Sequence, residues 1–243
     1  MRRRQAVLDP SRLVFIDETS VSTTITRLYG RAQQGERLVQ KVLHGNWKTL
    51  TFIAALRHNR VTAPFVCEGA MNGETFKAYV EQFLAPTLRR GDIVFMDNVS
   101  VHKVDGVEEA IEARGAIPFY LPAYSPDFNP IEQLFSKLKA MLRKIAAYSL
   151  KNAAFTIDSL CKAIASCLGE ISRSECAAFL ANSGYGQPNR ETPSRPHAGA
   201  EDINVPPRLI NGTLSGSLGL RSRPHARMVV AWYTNAPSAF NLP

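Results

Sequence analysis

Residues 92–103 read "DIVFMDNVSVHK" and decide how the whole chain is interpreted. Four apolar residues, 93–96, run directly into Asp97 and then into a cluster of polar side chains. A run that is apolar at every position is typical of a strand buried on both faces in the centre of a sheet. We expect this strand to deliver the Asp97 carboxylate to the carboxyl edge of the sheet, where α/β proteins place their ligands.

A second run of the same kind lies near the beginning of the chain. Residues 13–17, "LVFID", predict a short buried strand that ends in Asp17. If the two strands are neighbours, the carboxylates of Asp17 and Asp97 meet at one edge of the sheet. Two carboxylates so close repel each other unless they share a proton or bind cations. Mg²⁺ favours such a site, with few carboxylates and with waters and substrate phosphates as its other ligands.

A third acid, Glu132, stands in the first turn of a helix predicted from Pro130 to about residue 147. Pro130 suits the first helical position, and Asn129 suits the N-cap. Helical spacing predicts an apolar core stripe: Ile131, Leu134, Phe135, Leu138, Leu142 and Ile145. A different face carries Glu132, Ser136, Lys139 and Arg143. This face fits a nucleic-acid backbone lying across the helix; from the residues alone, a solvated face that begins with a favourable acid is the simpler interpretation.

The rest of the chain up to residue 187 alternates between strand and helix patterns. The predicted elements are a hairpin over 27–40, strands over 48–57 and 116–122, and helices over 73–88, 105–114, 153–168 and 173–182. This alternation predicts a mixed α/β sheet flanked by helices. Residues 188–243 hold 8 of the chain's 15 prolines and lack helical periodicity. We therefore predict that this C-terminal tail is largely disordered, apart from an apolar patch at 228–233.

Composition narrows the class of protein. The 243 residues carry a formal net charge of +8, which suits a polyanionic partner and also plain solubility. The four cysteines form no CxxC pair, so we expect buried free thiols in a reducing cytoplasm rather than a zinc site or a disulfide framework. No apolar run approaches the roughly 18 residues of a membrane span, and no membrane partner is expected.

The segments around the three acids read "FIDET", "MDNVSVHK" and "YSPDFNPIEQLFSKLK". They resemble the three catalytic blocks of the IS630/Tc1/mariner transposases, which belong to the DDE superfamily. The 34 residues between Asp97 and Glu132 match the spacing typical of that group. The stretches "YGRAQQGER" and "ECAAFLANSGYGQ" are similar to IS630-type sequence as well. The resemblance covers about residues 12–187 and implies an RNase H-like catalytic domain with those bounds, followed by the tail 188–243.

The same resemblance implies an activity. It assigns catalysis and metal binding to three acids: Asp17, Asp97 and Glu132. They would hold two Mg²⁺ ions, for which Mn²⁺ can substitute. The implied reaction is hydrolysis of DNA phosphodiesters at transposon ends, followed by transfer of the 3′-OH into target DNA. Four basic residues are candidates for nucleic-acid contacts: His102, Lys103, Lys139 and Arg143. Hydrogen bonding within the loop is the alternative for His102 and Lys103, and Glu18 should support the site indirectly.

The partners implied are double-stranded DNA, at transposon ends and target, and a second copy of the chain. Family members carry an N-terminal helix-turn-helix region, whereas only about 12 residues precede the first strand here. A separately encoded helix-turn-helix subunit is therefore part of the hypothesis, as is a bacterial, cytoplasmic, nucleoid-associated location. One rival function is a metal-dependent phosphotransferase of another α/β fold, although "DET" and "DNV" lack its usual DxD pattern. The other is an inactive or partner-dependent remnant that only binds DNA or protein.

Overall fold

A mixed β-sheet forms the centre of the molecule. The computed structural model describes residues 8–25, 31–37, 47–123, 125–149, 154–186 and 228–229. The strands are β1 (Leu13–Ser22), β2 (Thr49–Arg57), β3 (Arg60–Glu68), β4 (Ile93–Met96), β5 (Ile117–Tyr120) and the two-residue β6 (Met228–Val229). Their spatial order is β5-β4-β1-β2-β3-β6. β1 pairs in parallel with β4 and antiparallel with β2, and β4 pairs in parallel with β5.

Helices cover both faces of this sheet. They are α1 (Gly73–Tyr79), α2 (Val107–Glu112), α3 (Ile131–Ser149), α4 (Ile157–Gly169) and α5 (Arg173–Asn182). α1 continues through a π-helical turn, Val80–Leu84, into a 3-10 turn that contains Pro86. The Asn72 side chain caps α1 by accepting a hydrogen bond from the Thr75 N–H at 2.8 Å, as its sequence position predicted. The predicted mixed sheet flanked by helices is thus confirmed.

The alternating side chains of β1 feed two hydrophobic cores, one on each face of the sheet. Leu13 and Phe15 pack into the core shared with α3, α4 and α5, whereas Val14 and Ile16 pack into the core shared with α1 and α2. Since successive strand residues point to opposite faces, a strand that is apolar at every position must lie in the middle of the sheet. β1 occupies that position, between β4 and β2.

The apolar stripe predicted for the long helix anchors α3 on the sheet. Five of its members are fully buried: Ile131, Leu134, Phe135, Leu138 and Leu142. Ile145 is partly buried against the same core. Burying side chains of this size stabilises the fold by about 1.5–3 kcal/mol each. This packing fixes the position of the first turn of α3 relative to β1, and therefore the position of Glu132.

β3 was not predicted from the sequence. It follows β2 after a two-residue turn and pairs with it antiparallel, but the pairing register shifts between Ile53 and Ala55. On β3 itself, Ala63 has a φ of 49° and Pro64 follows it. Proline and a bulge both interrupt the regular alternation by which a strand is recognised, so the segment carried no clear strand pattern.

Several other predictions can be compared with the described residues. All four cysteines are buried and free, and burial raises the pKa of Cys161, Cys167 and Cys176 to about 11. No helix in the described ranges is long and apolar enough to cross a membrane. The hairpin predicted over 27–40 lies outside the described residues, except for 31–37. The tail 188–243 lies outside them too, except for β6, which pairs antiparallel with β3.

Candidate active site

β1 and β4 bring two acids to the same level of the sheet. In their parallel register Leu13 pairs with Ile93 and Phe15 pairs with Phe95, so Asp17 lies level with Asp97. Asp97 directly follows the last residue of β4, as predicted. β1, in contrast, does not end at Asp17 but continues to Ser22, because β2 remains paired with it along that length. The carboxyl edge that holds the acids is therefore formed by the end of β4 and the middle of β1.

The side chain of Asn129 links the two carboxylates. Its Nδ2 donates to Asp17 Oδ2 at 3.0 Å and, more weakly, to Asp97 Oδ1 at 3.4 Å. Asp17 Oδ1 accepts a further hydrogen bond from the Glu18 N–H at 2.7 Å. The sequence suggested Asn129 as the N-cap of α3, which requires its side-chain oxygen to accept from the helix. That oxygen instead is buried and has no partner, so this assignment was wrong for the side chain.

Burial and neighbouring negative charges raise the pKa of both carboxylates. Asp17 is only 7% exposed, and its burial, together with the charge of Asp97, raises its pKa to about 8. The charges of Glu18 and Glu132 raise it further, against the lowering effect of the Glu18 N–H. Burial also raises the pKa of Asp97, although His102 and Asn129 act in the opposite direction. Acids perturbed by both burial and like charge are typical of functional sites.

Two hydrogen-bonded side chains, His102 and Glu18, hold the backbone of the loop at Asp97. His102 Nδ1 lies 2.9 Å from the Asp97 carbonyl oxygen, and Nε2 lies 3.0 Å from both carboxylate oxygens of Glu18. Because a carbonyl and an ionised carboxylate can only accept, both ring nitrogens must donate, so the geometry favours the imidazolium form. Burial lowers the pKa of His102, but the bonds and charge of Glu18 outweigh it and the pKa is raised overall. The ring stacks on Phe76 at 4.2 Å.

The sequence predicted only part of this hydrogen-bonded arrangement of Asp97, His102 and Glu18. Glu18 does support the site indirectly, through His102, although nothing in the sequence connected these two residues. His102 is 1% exposed, and both of its ring nitrogens are engaged within the protein, as the alternative of hydrogen bonding inside the loop requires. A contact between His102 and nucleic acid stays a prediction.

The third predicted acid lies beside the pair without joining it. Glu132 is exposed in the first turn of α3, and its charge raises the pKa of Asp17. Its N–H donates to the Asn129 carbonyl at 3.3 Å, which ties the start of the helix to the bridging residue. Within the part of the chain that the structure describes, no three His, Cys, Asp or Glu residues are arranged to hold a metal ion. The structure thus brings two of the three acids together.

The remaining candidates for DNA contacts differ in their exposure to solvent. Lys103 is exposed, and its Nζ lies 5.5 Å from the centre of the Tyr120 ring. Lys139 and Arg143 are half-buried on α3, and the Nε of Arg143 is buried without a hydrogen-bond partner. Their contacts with nucleic acid stay predictions, as do the catalytic roles of the three acids.

Comparisons with known proteins agree with this fold. The family model described as DDE superfamily endonuclease matches residues 12–153, more than half of the chain. The fold is also similar to three solved structures of Mos1 transposase: the paired-end complex with left transposon end (TM-score 0.56, 14% identity), the paired end complex with Mn (0.54, 15%) and the paired end complex with Mg (0.53, 13%). No curated protein matches the sequence.

These matches cover 72%, 75% and 72% of this chain, and 52%, 56% and 53% of the respective Mos1 chains. The chain therefore spans about half the length of the Mos1 chains that it matches. The likeness to Mos1 transposase supports the fold, a mixed RNase H-like sheet flanked by helices. By the family match, the chain belongs to the DDE superfamily endonucleases.

Proposed function

We propose that residues 12–187 form the catalytic domain of a DNA transposase. Its reaction would be hydrolysis of DNA phosphodiesters at transposon ends and transfer of the freed 3′-OH into target DNA. The observation that carries this proposal is the pair Asp17 and Asp97, a buried and a half-buried carboxylate that both accept a hydrogen bond from the Asn129 amide. Keeping two carboxylates this close costs stability because their charges repel, and such a cost is typical of a site built for chemistry.

The chemistry of the donor set fits a divalent cation. Two carboxylates and the unpartnered amide oxygen of Asn129 are hard oxygen donors, which Mg²⁺ prefers. A cation would also relieve the repulsion that raises the pKa of Asp17. We assign Mg²⁺, with Mn²⁺ as a substitute and two ions in total, to three residues: Asp17, Asp97 and Glu132. When bound, the ions would lower the pKa of a water molecule and stabilise the charge of the leaving 3′-oxygen.

The chain's own residues would hold and orient the reacting groups. The His102–Glu18 pair fixes the backbone at Asp97. The first turn of α3 presents Glu132 beside the two aspartates. The DNA backbone would lie along this edge, contacted by basic residues that position it without reading sequence: His102, Lys103, Lys139 and Arg143. Of these, Lys103 is the exposed cation on the loop that follows β4.

The proposal extends to partners and place. Double-stranded DNA would be the substrate; the Mos1 structures named above are paired-end complexes, one of them with a transposon end, which supports this part of the proposal. A second copy of the chain and a separately encoded helix-turn-helix subunit would complete the assembly that recognises transposon ends. We place this assembly on the nucleoid in a bacterial cytoplasm.

The first experiment is nicking of supercoiled plasmid with Mn²⁺ at low salt, where sequence-independent binding is strong. Wild-type protein should nick the plasmid only when metal is present. Asp97→Ala should lose at least about 100-fold in rate, because it removes a ligand rather than a supporting residue. Asp105→Ala, which changes an exposed acid on the same loop region, should nick at the wild-type rate.

A remnant that only binds DNA or needs a partner is the second candidate function. The exposed position of Glu132, apart from the two aspartates, is the observation that favours it. In that case wild type and Asp97→Ala would bind DNA equally well in a filter-binding assay, and both would leave the plasmid intact. Metal-dependent nicking that disappears in Asp97→Ala would exclude this candidate.

A further inference from the structure

Asn129 connects all three acids that the proposed function uses. Its Nδ2 donates to Asp17 at 3.0 Å and to Asp97 at 3.4 Å, and its carbonyl oxygen accepts the Glu132 N–H at 3.3 Å. The residue is 3% exposed, so its position is set by the surrounding protein rather than by solvent. Among the described residues, the Asn129 side chain is thus the one that hydrogen-bonds to both aspartates.

We propose that Asn129 is a positioning residue for catalysis, which sets the separation of the Asp17 and Asp97 carboxylates and places the start of α3 against them. This inference rests on the proposed function and goes beyond the three acids. One amide group has two N–H donors in a fixed plane, so a bond to each aspartate constrains both carboxylates at once. Supporting groups of this kind orient the ligands of metal sites and tune their affinity.

A purely structural role does not account for the orientation of this side chain. As an N-cap, Asn129 would accept from the first N–H groups of α3 and so stabilise the helix. Instead its Oδ1 is buried without a partner, an arrangement that costs free energy. The amide thus faces the acids at the expense of the helix. Because the Asn129 Oδ1 has no partner in the protein, it is available to accept a hydrogen bond from a ligand or a water.

The test compares Asn129→Ala with wild type by thermal unfolding over a range of Mn²⁺ concentrations, alongside plasmid nicking over the same range. We expect the half-maximal Mn²⁺ concentration for thermal stabilisation to rise about 10–100-fold. Nicking should fall at limiting Mn²⁺ and recover substantially at saturating Mn²⁺. Asn129→Leu, which is close to asparagine in shape, should show the same shift and covers the case in which the alanine variant does not fold.

Asn182→Ala is the matched control. Asn182 Nδ2 donates to Gln133 Oε1 at 3.1 Å and so joins α5 to α3 without reaching the acids. Its loss should lower the melting temperature slightly and leave the Mn²⁺ midpoint unchanged. If wild type responds to Mn²⁺ and both Asn129 variants keep its midpoint, the positioning role is overturned and the proposed function survives. If wild type neither nicks nor responds to Mn²⁺, both are overturned.

Discussion

The two ends of the parallel pair β1–β4 treat buried acids in opposite ways. At the amino end, Asp92 is 3% exposed and its Oδ2 accepts from Arg57 Nη2 at 2.7 Å. The same oxygen accepts the Arg89 N–H at 2.8 Å, and Arg57 Nη2 also donates to the Thr87 carbonyl at 3.0 Å. At the carboxyl end, Asp17 is nearly as buried, yet within the described ranges its carboxylate accepts hydrogen bonds from only the Asn129 amide and the Glu18 N–H.

This contrast separates stabilisation from function within one sheet. The fold can bury a carboxylate and neutralise it with an arginine, as it does for Asp92. At the other end it buries Asp17 beside a second acid, and the pKa of Asp17 rises to about 8 as a result. Among the described residues, Asp17 has no salt-bridged arginine comparable to Arg57, and the His102 ring bonds instead to Glu18 and to the Asp97 carbonyl. Since the same scaffold builds both ends, this difference marks the end with Asp17 as the one suited to bind something.

The largest change in stability should come from breaking the neutralised end. Asp92→Ala removes the partner of Arg57 and leaves its guanidinium buried at 4% exposure without a counter-charge. Loss of one member of a buried pair costs about 3–5 kcal/mol. Urea unfolding followed by circular dichroism should show the midpoint fall accordingly, with the slope unchanged.

The double variant Arg57→Met/Asp92→Leu is the control for that experiment. Replacing both charges by apolar side chains of similar size removes the uncompensated charge, so most of the lost stability should return. If the double variant is as unstable as Asp92→Ala, the packing of this region and not its charge balance determines the effect. Nicking activity per folded molecule should remain at the wild-type level in the double variant, because this end lies away from the acids.

The contrast also shows which parts of the site could be predicted from the sequence. Asp97 at the end of a strand and the apolar stripe of α3 follow from local periodicity, and both were predicted. The Arg57–Asp92 pair joins residues 35 positions apart, and the Glu18–His102 pair joins residues 84 positions apart. Nothing local links such partners, because their meeting depends on the order of the strands in the sheet.

Asn129 shows a different limit. Its place before Pro130 made it a good N-cap by local rules, but the two aspartates compete for its side chain and determine its orientation. A tertiary contact thus overrides a local preference at a functional position, where such conflicts are expected. β3 was missed because its proline and its bulge obscure the strand pattern, although pairing with β2 stabilises the strand in the fold.

The next largest change in stability should come from removing the negative charge of Asp17 at the carboxyl end. Asp17 binds its proton more tightly in the folded chain than in the unfolded one, so its ionisation destabilises the fold as pH rises from about 4 towards 8. Asp17→Asn removes this ionisation and should raise the free energy of unfolding by about 1–3 kcal/mol at pH 8. At pH 4 the two proteins should be almost equally stable. Urea unfolding at both pH values tests this, and a gain of equal size at pH 4 would contradict it.

A bound metal ion should also stabilise the folded chain by acting at the carboxyl end, near Asp17. Mg²⁺ at about 100 times its dissociation constant would stabilise the folded chain by about 2.7 kcal/mol. Because binding requires ionised carboxylates, the rise in melting temperature should be larger at pH 8 than at pH 5. Asp17→Asn should lose most of this rise, and chelation with EDTA should reverse it in wild type. A rise that is independent of pH and of Asp17 would place the ion elsewhere on the chain.

The smallest effect should come from single exposed cations, one chosen from each end of the sheet. Lys103 is exposed on the loop after β4, whereas Arg60 is exposed at the start of β3, beside Arg57 at the other end. If DNA lies along the acid-bearing edge, Lys103→Ala should weaken binding a few-fold and reduce the salt slope by about 1. Arg60→Ala should leave both quantities unchanged. Equal losses in the two variants, measured by fluorescence anisotropy at several salt concentrations, would mean that the net charge of +8 attracts DNA without a preferred edge.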